Sequence, residues 1–313
     1  NFSSDQTAIG QIYYNSASGS FKAVTAGVGS WSSGGSLNTT RKALSGFGTQ
    51  TAAIAAAGQG GPSNTAQNSC EAYNGTNWTE VGEVNTAKVY RGNCGTQTAG
   101  LLVGGGPVTN DTEEWNGSSW TETANYPTNI TFPQQLGVQT AAFVCGGNNN
   151  GPYVTATNTY NGTAFTGSTA INTARAEGAA AGTTTAAIVA AGNASGGVVN
   201  STEIWNGSSW TEVNELNTAR SLVGGSGTTS TSMLVFAGSQ NPTPYLAVTE
   251  SWNGTSWTEV ADLATVRSAI GGSTNGSAVA ALAFGGQTPP GLAQSITEEW
   301  VLSDFEVKTL TTS

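Results

Sequence analysis

The sequence predicts an all-β protein, a six-bladed β-propeller built from four-stranded antiparallel blades. Three observations predict it: a hairpin-like stretch recurs along the chain, each interval holds four strand-like pieces, and the composition disfavours helices. The stretch is Trp205-Asn206-Gly207-Ser208-Ser209-Trp210-Thr211-Glu212, repeated from Trp115 to Glu122 and from Trp252 to Glu259, with looser copies from Tyr73 to Glu80 and from Tyr160 to Gly167. Asn-Gly between aromatic and Thr-rich flanks signals a β-hairpin, because both residues tolerate positive φ. The second aromatic falls at Trp31, Trp78, Trp120, Phe165, Trp210, Trp257 and Phe305, at intervals of 47, 42, 45, 45, 47 and 48 residues. Four strands per 40–50 residues is the period of a propeller blade; a solenoid or a sandwich needs a different period or none.

Composition narrows the function classes. Only 9% of the 313 residues are charged, and Gly, Thr, Ser, Asn and Ala fill the gap, which suits short strands and tight turns. Nine Trp, eight Tyr and nine Phe argue against disorder. A net charge of −10 with nine Lys plus Arg leaves too few cations for a nucleic-acid binder. No apolar run reaches the length of a membrane span, and no signal peptide is visible. Cys70, Cys94 and Cys145 lack metal spacing and read as buried free thiols. With no His, Ser-His-Asp triads, Cys-His pairs and His-ligated metals are excluded. No metal or cofactor is expected.

Along the chain, residues 1–28 stand outside the repeat and read as a lead-in or attachment segment; residues 29–313 form the propeller. In each repeat an element resembling Asn-Thr-Ala-Arg (38–41, 85–88, 172–175, 217–220) leads into a Gly-rich first strand. An apolar second strand ends in Gly at 58, 105, 147, 192, 238 and 286. The third strand ends at the first hairpin aromatic and the fourth begins near the second. Seven copies of the outer strand are one more than six blades need. The hairpin from Trp300 to Phe305 keeps the four-residue gap, so it is expected to complete the last blade, with Trp31 packed on its edge.

Two charges covary between repeats. A cation opens the first strand at Arg41, Lys88, Arg175, Arg220 and Arg267, and an anion stands two residues before the third-strand aromatic at Glu71, Glu113, Glu203, Glu250 and Glu298. The repeat with Ile130 in place of the cation has Asn158 in place of the anion. Strands one and three of a blade start at the same face, so the expectation is five salt bridges, Lys88–Glu113 among them, each partly exposed and modestly stabilising. Five cations binding an acidic ligand is the alternative. Glu80, Glu122, Glu212 and Glu259, on the outermost strand, discourage edge-to-edge pairing; glycosidase chemistry by paired carboxylates is disfavoured because the repeat sets them.

One face carries short, nearly constant turns. The other carries the second-to-third-strand loops, 59–69, 107–112, 148–157, 193–201, 239–249 and 287–297, which differ in every repeat and hold seven of the nine Pro. A uniform scaffold with one variable loop set is the arrangement of a recognition surface; loops left to drift is the bland alternative. Candidate ligand contacts are Asn148, Asn149, Asn150, Tyr153, Asn241 and Tyr245, amide and aromatic groups suited to carbohydrate or protein. Asn74, Asn116, Asn161, Asn206 and Asn253 match the glycosylation pattern, but turn chemistry already accounts for them.

The apolar run, Gly-Gly and two spaced aromatics, clearest in Leu282-Ala283-Phe284-Gly285-Gly286 followed by Trp300, resemble the kelch repeat over about nine-tenths of the chain. The Gly doublet is kept at Gly104-Gly105 and Gly146-Gly147 and reduced to one Gly at Ala57-Gly58, Ala191-Gly192 and Ala237-Gly238, so the blades are kelch-like. Enzymes among kelch-like propellers, similar to galactose oxidase, hold copper through Tyr, His and Cys, a site this chain cannot build. Residues 11–24 and the Trp-Asn-Gly-Ser-Ser-Trp-Thr-Glu array look like segments of marine bacteriophage tail-fibre proteins. That resemblance implies a virion or extracellular receptor-binding module, without enzymatic activity, that recognises a host-surface glycan or protein. It also implies contacts with other virion proteins through residues 1–28, and a homotrimer. A structural or decoration protein of such an assembly, or an intracellular kelch adaptor, is the alternative.

Overall fold

A computed structural model describes residues 10–61, 64–303 and 305–310. Among them every regular element is a strand, and six antiparallel sheets have four strands each. Sheet I is Ser45–Thr49, Ala52–Ala56, Cys70–Tyr73 and Trp78–Val81; sheet II is Gly92–Thr96, Ala99–Val103, Thr112–Trp115 and Trp120–Glu122. Sheet III is Gln134–Val138, Ala141–Cys145, Thr157–Tyr160 and Phe165–Ser168; sheet IV is Ala179–Thr183, Ala186–Ala190, Thr202–Trp205 and Trp210–Val213. Sheet V is Gly224–Thr229, Ser232–Phe236, Thr249–Trp252 and Trp257–Val260. Sheet VI takes Gly271–Gly272, Ala280–Phe284 and Thr297–Leu302 from the end of the chain and Gly29–Ser33 from its beginning.

The first strands of consecutive sheets touch all the way round, and that of sheet VI returns to that of sheet I. The arrangement is propeller-like. At one end a ring of backbone hydrogen bonds links each sheet to the next. Just before each first strand one residue sits in the left-handed region: Ala43, Tyr90, Phe132, Glu177, Leu222 and Ala269, with φ of 54°, 56°, 55°, 65°, 54° and 50°. The Tyr90 amide donates to Ala43, Phe132 to Tyr90, Glu177 to Phe132, Leu222 to Glu177, Ala269 to Leu222, and Ala43 back to Ala269, at 2.9–3.2 Å. The wedges narrow toward this axis, which is why the inner strands are Gly-rich. A Cβ on Gly46 would stand 2.5 Å from the Phe284 ring and 2.7 Å from the Gly272 carbonyl of the neighbouring sheet.

The hairpin copies hold the sheets together further out. Tyr73, Trp115, Tyr160, Trp205, Trp252 and Trp300 are buried at the ends of the third strands. The second aromatic reaches back towards the preceding sheet. Trp78 Nε1 donates to Thr297 Oγ1, Trp257 Nε1 to Thr202 Oγ1 and Trp31 Nε1 to Thr249 Oγ1, each at 3.0 Å. The turn is a four-residue loop, since Trp205 pairs with Trp210. Only Gly207 has positive φ, while Asn206 Oδ1 accepts from the amides of Ser208 and Ser209 at 3.0 Å each. Asn74, Asn116, Asn161 and Asn253 do the same, so the Asn is retained for its side-chain turn rather than for a left-handed backbone.

Closure corrects one expectation. Trp31 pairs directly with Trp300 and supplies the outer strand of sheet VI. Phe305–Thr309 leaves that sheet and pairs with Ser20–Ala26, which pairs in turn with Ile12–Asn15. The reason is local: Val301-Leu302-Ser303-Asp304 lacks the Asn-Gly that turns every other hairpin, so the third strand runs on to Leu302. Of the lead-in segment, residues 1–9 lie outside the described residues.

The covarying charges form buried ion pairs. Arg41–Glu71 and Arg267–Glu298 meet at 2.7 Å, and Arg175–Glu203 and Arg220–Glu250 at 2.5 Å, with side chains at most 3% exposed. They are not the partly exposed pairs expected. The second carboxylate oxygen accepts the backbone amide of Asn38, Asn172, Asn217 or Ala264 at 2.6–2.7 Å, which fixes the entry into the first strand. The Lys88–Glu113 pair is not made. Arg91 takes Glu113 at 2.5 Å and Lys88 takes the half-exposed Asp111 at 2.6 Å. A delocalised guanidinium costs less to bury than an ammonium, so the arginine claims the inner carboxylate. In sheet III, Asn158 Nδ2 donates instead to the Tyr126 hydroxyl at 2.7 Å, beside the buried Ile130. Glu80, Glu122, Glu212 and Glu259 stand directly across from the buried carboxylates on the edge strand.

Candidate functional site

The two ends of the axis differ. At one end lie the first-to-second-strand turns, whose Gln side chains bind the neighbouring sheet. Gln50, Gln97 and Gln139 Nε2 donate to the carbonyls of Trp300, Tyr73 and Trp115 at 2.7, 2.6 and 2.9 Å. The first strand of sheet VI is only two residues long, and the chain after it turns across the axis. There Asn275 Nδ2 donates to the Gly137 carbonyl at 3.1 Å, its Oδ1 accepts from the Gly95 amide at 3.2 Å, and its own amide donates to the Gly48 carbonyl at 3.1 Å. One residue of sheet VI thus joins sheets I, II and III and closes that end.

The other end is open and carries the six variable loops. Each loop is pinned where it begins. Asn148, Asn193, Ser239 and Gln287 exchange backbone hydrogen bonds with Thr131, Ala176, Ser221 and Ser268 in the link ahead of the same sheet. The loops therefore rise from a fixed rim around the left-handed ring. At the mouth, a cavity of about 110 Å³ is lined by Tyr90, Arg91, Phe132, Glu177 and Leu222 among others. Below it, a space of about 80 Å³ runs between Asn93, Gln134, Gln135 and Thr274 and the glycine backbone of the inner strands. A water needs about 10–15 Å³ of such space, so both regions admit small polar molecules. Asn93 Oδ1, Gln135 Oε1, Thr274 Oγ1 and both amide atoms of Gln134 are buried without a protein partner. Such atoms call for solvent or ligand, because an unpaired buried polar group is costly.

The chemistry of the mouth comes from three of the six ring residues. The rings of Tyr90 and Phe132 stack with centroids 4.0 Å apart at 29°. Glu177 lines the same cavity, half-buried. Burial pushes the Glu177 carboxyl above the ordinary range. Burial likewise raises the Tyr90 hydroxyl, with Glu177 and Tyr245 adding to it, and the Tyr153 hydroxyl, with Glu177 adding. Tyr153 belongs to the loop of sheet III and Tyr245 to that of sheet V.

The sequence-derived contact residues divide accordingly. Tyr153 and Tyr245 occupy equivalent places, bridged to Asn148 and Ser239 at the loop bases. Asn148 serves its own loop, exchanging side-chain hydrogen bonds with the Gly151 carbonyl and amide at 3.1 and 2.9 Å. Asn149 is half-buried with its amide on the Pro152 carbonyl, whereas Asn150 and Asn241 are exposed at loop tips. Tyr90, Phe132, Glu177 and Arg91 were not singled out from sequence. The signal was a fixed offset: the ring residue always stands two positions after the Arg41-type position, whether that position holds a cation or Ile130. Cys70, Cys94 and Cys145 are buried and free; burial pushes the Cys94 thiol up to about 12.

No family model matches the chain, and no curated protein matches it. Among solved structures, that of YjhT superposes with a TM-score of 0.71 at 12% identity, over 88% of this chain and 99% of that one. At that identity the likeness concerns the fold alone, and the chain is similar to YjhT as an all-β, propeller-like protein.

Proposed function

We propose that this chain is a six-bladed, kelch-like β-propeller acting as a non-enzymatic binding module. It recognises a glycan or protein on a cell surface through the variable-loop face. The observation that carries the reading is the asymmetry of the axis. One end is plugged by Asn275 and stapled by repeated glutamines. The other leaves aromatic and carboxylate side chains at an open mouth ringed by loops that differ in every repeat. Uniformity at the closed end follows from its bonds between sheets, and the open end varies above loop bases that are themselves fixed by backbone bonds, which supports recognition by the loops. The ring of six backbone hydrogen bonds and the first-strand contacts support six blades. The resemblance to phage tail-fibre segments supports a place in a virion or other extracellular assembly, with residues 1–28 on the assembly side. A decoration protein of such a particle is the second reading.

A glycan array and whole-cell binding with the Tyr153→Ala/Tyr245→Ala double variant test this. Loss of binding at unchanged Tm is expected. Turnover of any bound saccharide by hydrolysis or oxidation, or undiminished binding by the variant, would overturn the proposal.

A further inference from the structure

We propose that the mouth of the open end is a site for an organic ammonium group, held between the Tyr90–Phe132 stack and the Glu177 carboxylate. The inference rests on the open face being the recognising one and names the chemistry it selects.

Glu177 is unlike the other buried carboxylates of the chain. Glu71, Glu113, Glu203, Glu250 and Glu298 each face an arginine. Glu177 has no ion-pair partner among the described residues, although it is drawn into a half-buried position on the ring. Arg175, two residues before it, is committed to Glu203 and Ser201. The lysine nearest in position to the ring, Lys42, is held by the Gly291 carbonyl at 2.9 Å. Burial raises the pKa of Glu177, and no cation stands among the groups that oppose the rise.

The backbone sharpens the point. A left-handed conformation is costly for a non-glycine residue. The chain has 43 glycines, yet none occupies the six ring positions. Ala43, Ala269 and Leu222 line the same cavity with apolar groups. At Tyr90, Phe132 and Glu177 the strained backbone holds side chains that bring π faces and a negative charge to one opening. A π face attracts a cation by its quadrupole, and an unpaired carboxylate in the same opening completes the pair a buried charge requires. A neutral sugar would gain stacking but leave the carboxylate unpaired, and an anion would be repelled by it.

Amino sugars and lysine side chains both carry the required group, and calorimetric titration can separate them. The probes are glucosamine, glucose, N-acetylglucosamine and Nα-acetyl-lysine methylamide. Glucosamine should bind at least about tenfold more tightly than glucose or N-acetylglucosamine. A comparable or stronger response to the lysine derivative also supports the site and assigns the ammonium to a peptide source. Glu177→Gln should bring glucosamine down to the level of glucose. Tyr90→Leu, which keeps apolar bulk, should weaken it by about 2- to 30-fold. Binding of neither ammonium probe above the level of glucose, or an undiminished response from Glu177→Gln, would overturn the site. If cell binding is still lost in the Tyr153/Tyr245 double variant, such a result leaves the recognising face standing.

Discussion

Replacing Glu250 by Ala tests whether the repeated ion pairs hold the sheets. Arg220 and Glu250 are both fully buried and meet at 2.5 Å. The carboxylate also accepts the Asn217 amide and side chain at 2.7 and 2.8 Å and the Thr218 amide at 3.3 Å. Burial pulls the Arg220 guanidinium below its ordinary pKa, and Glu250 is the main group opposing that. Removing the carboxylate leaves a buried cation with only the carbonyls of Thr218 and Val235 for company, at 3.1 Å each. Breaking one half of a buried pair costs about 3–5 kcal/mol. The orphaned backbone donors place this case at the upper end. At roughly 2 °C per kcal/mol for a chain of this size, Tm should fall by about 8–10 °C. The Arg220→Met/Glu250→Leu double variant removes both charges and should recover most of the loss. Differential scanning calorimetry of wild type, Glu250→Ala and the double variant reads this. A Tm shift below about 2 °C for Glu250→Ala would refute the assignment, because a solvated pair contributes no more than about 1 kcal/mol.

Further predictions concern closure, the plug and titration. Trp31→Ala removes the ring packed against Phe236 and Trp300 at 5.1 and 5.5 Å and the bond to Thr249. It should cost about 2–4 kcal/mol in urea unfolding, less than a fully buried Trp because Trp31 is half-exposed; an effect below about 1 kcal/mol would mean that the strand does not close sheet VI. Asn275→Ala loses two hydrogen bonds across the axis and should cost about 1–3 kcal/mol, with faster amide exchange at Gly95. Asp111 is held below its ordinary pKa by the hydrogen bond from Lys88. A depressed acid stabilises the fold above its unfolded pKa, so the stability difference between wild type and Asp111→Asn should fade as pH falls below about 4. Glu177 is raised, so its contribution is full below its unfolded pKa and is lost as pH rises through the folded value. Glu177→Gln should therefore melt higher than wild type at pH 7, the difference closing toward about pH 4.5. A lower Tm would show the carboxylate to be a structural prop.

Much of the fold was legible because the repeat compares itself. The covariation of Arg41-type and Glu71-type residues pointed to four of the ion pairs, since a lost partner at Ile130 and Asn158 marks the contact. It failed at Lys88 because Arg91 stands three positions further on, outside the aligned column, and side-chain reach decided the pairing. The loop tyrosines were legible as departures from uniformity. The ring residues were not, because Tyr90, Phe132 and Glu177 share neither size nor polarity with Ala43, Leu222 and Ala269. What unites them is a backbone angle and a hydrogen bond to the next sheet.

The sequence by itself determined the all-β class, the strand order within each repeat, the aromatic hairpins and the face on which variation is concentrated. These follow from periodicity and turn chemistry, which act over a few residues. Only the tertiary structure decided that Trp31 rather than Phe305 completes sheet VI, and that the ion pairs are buried rather than partly exposed. It alone brought Asn275 across the axis and set Glu177 beside Tyr90 and Phe132. Each of these joins residues far apart in the chain. Their positions depend on how separate sheets pack against one another, and no local pattern carries that packing.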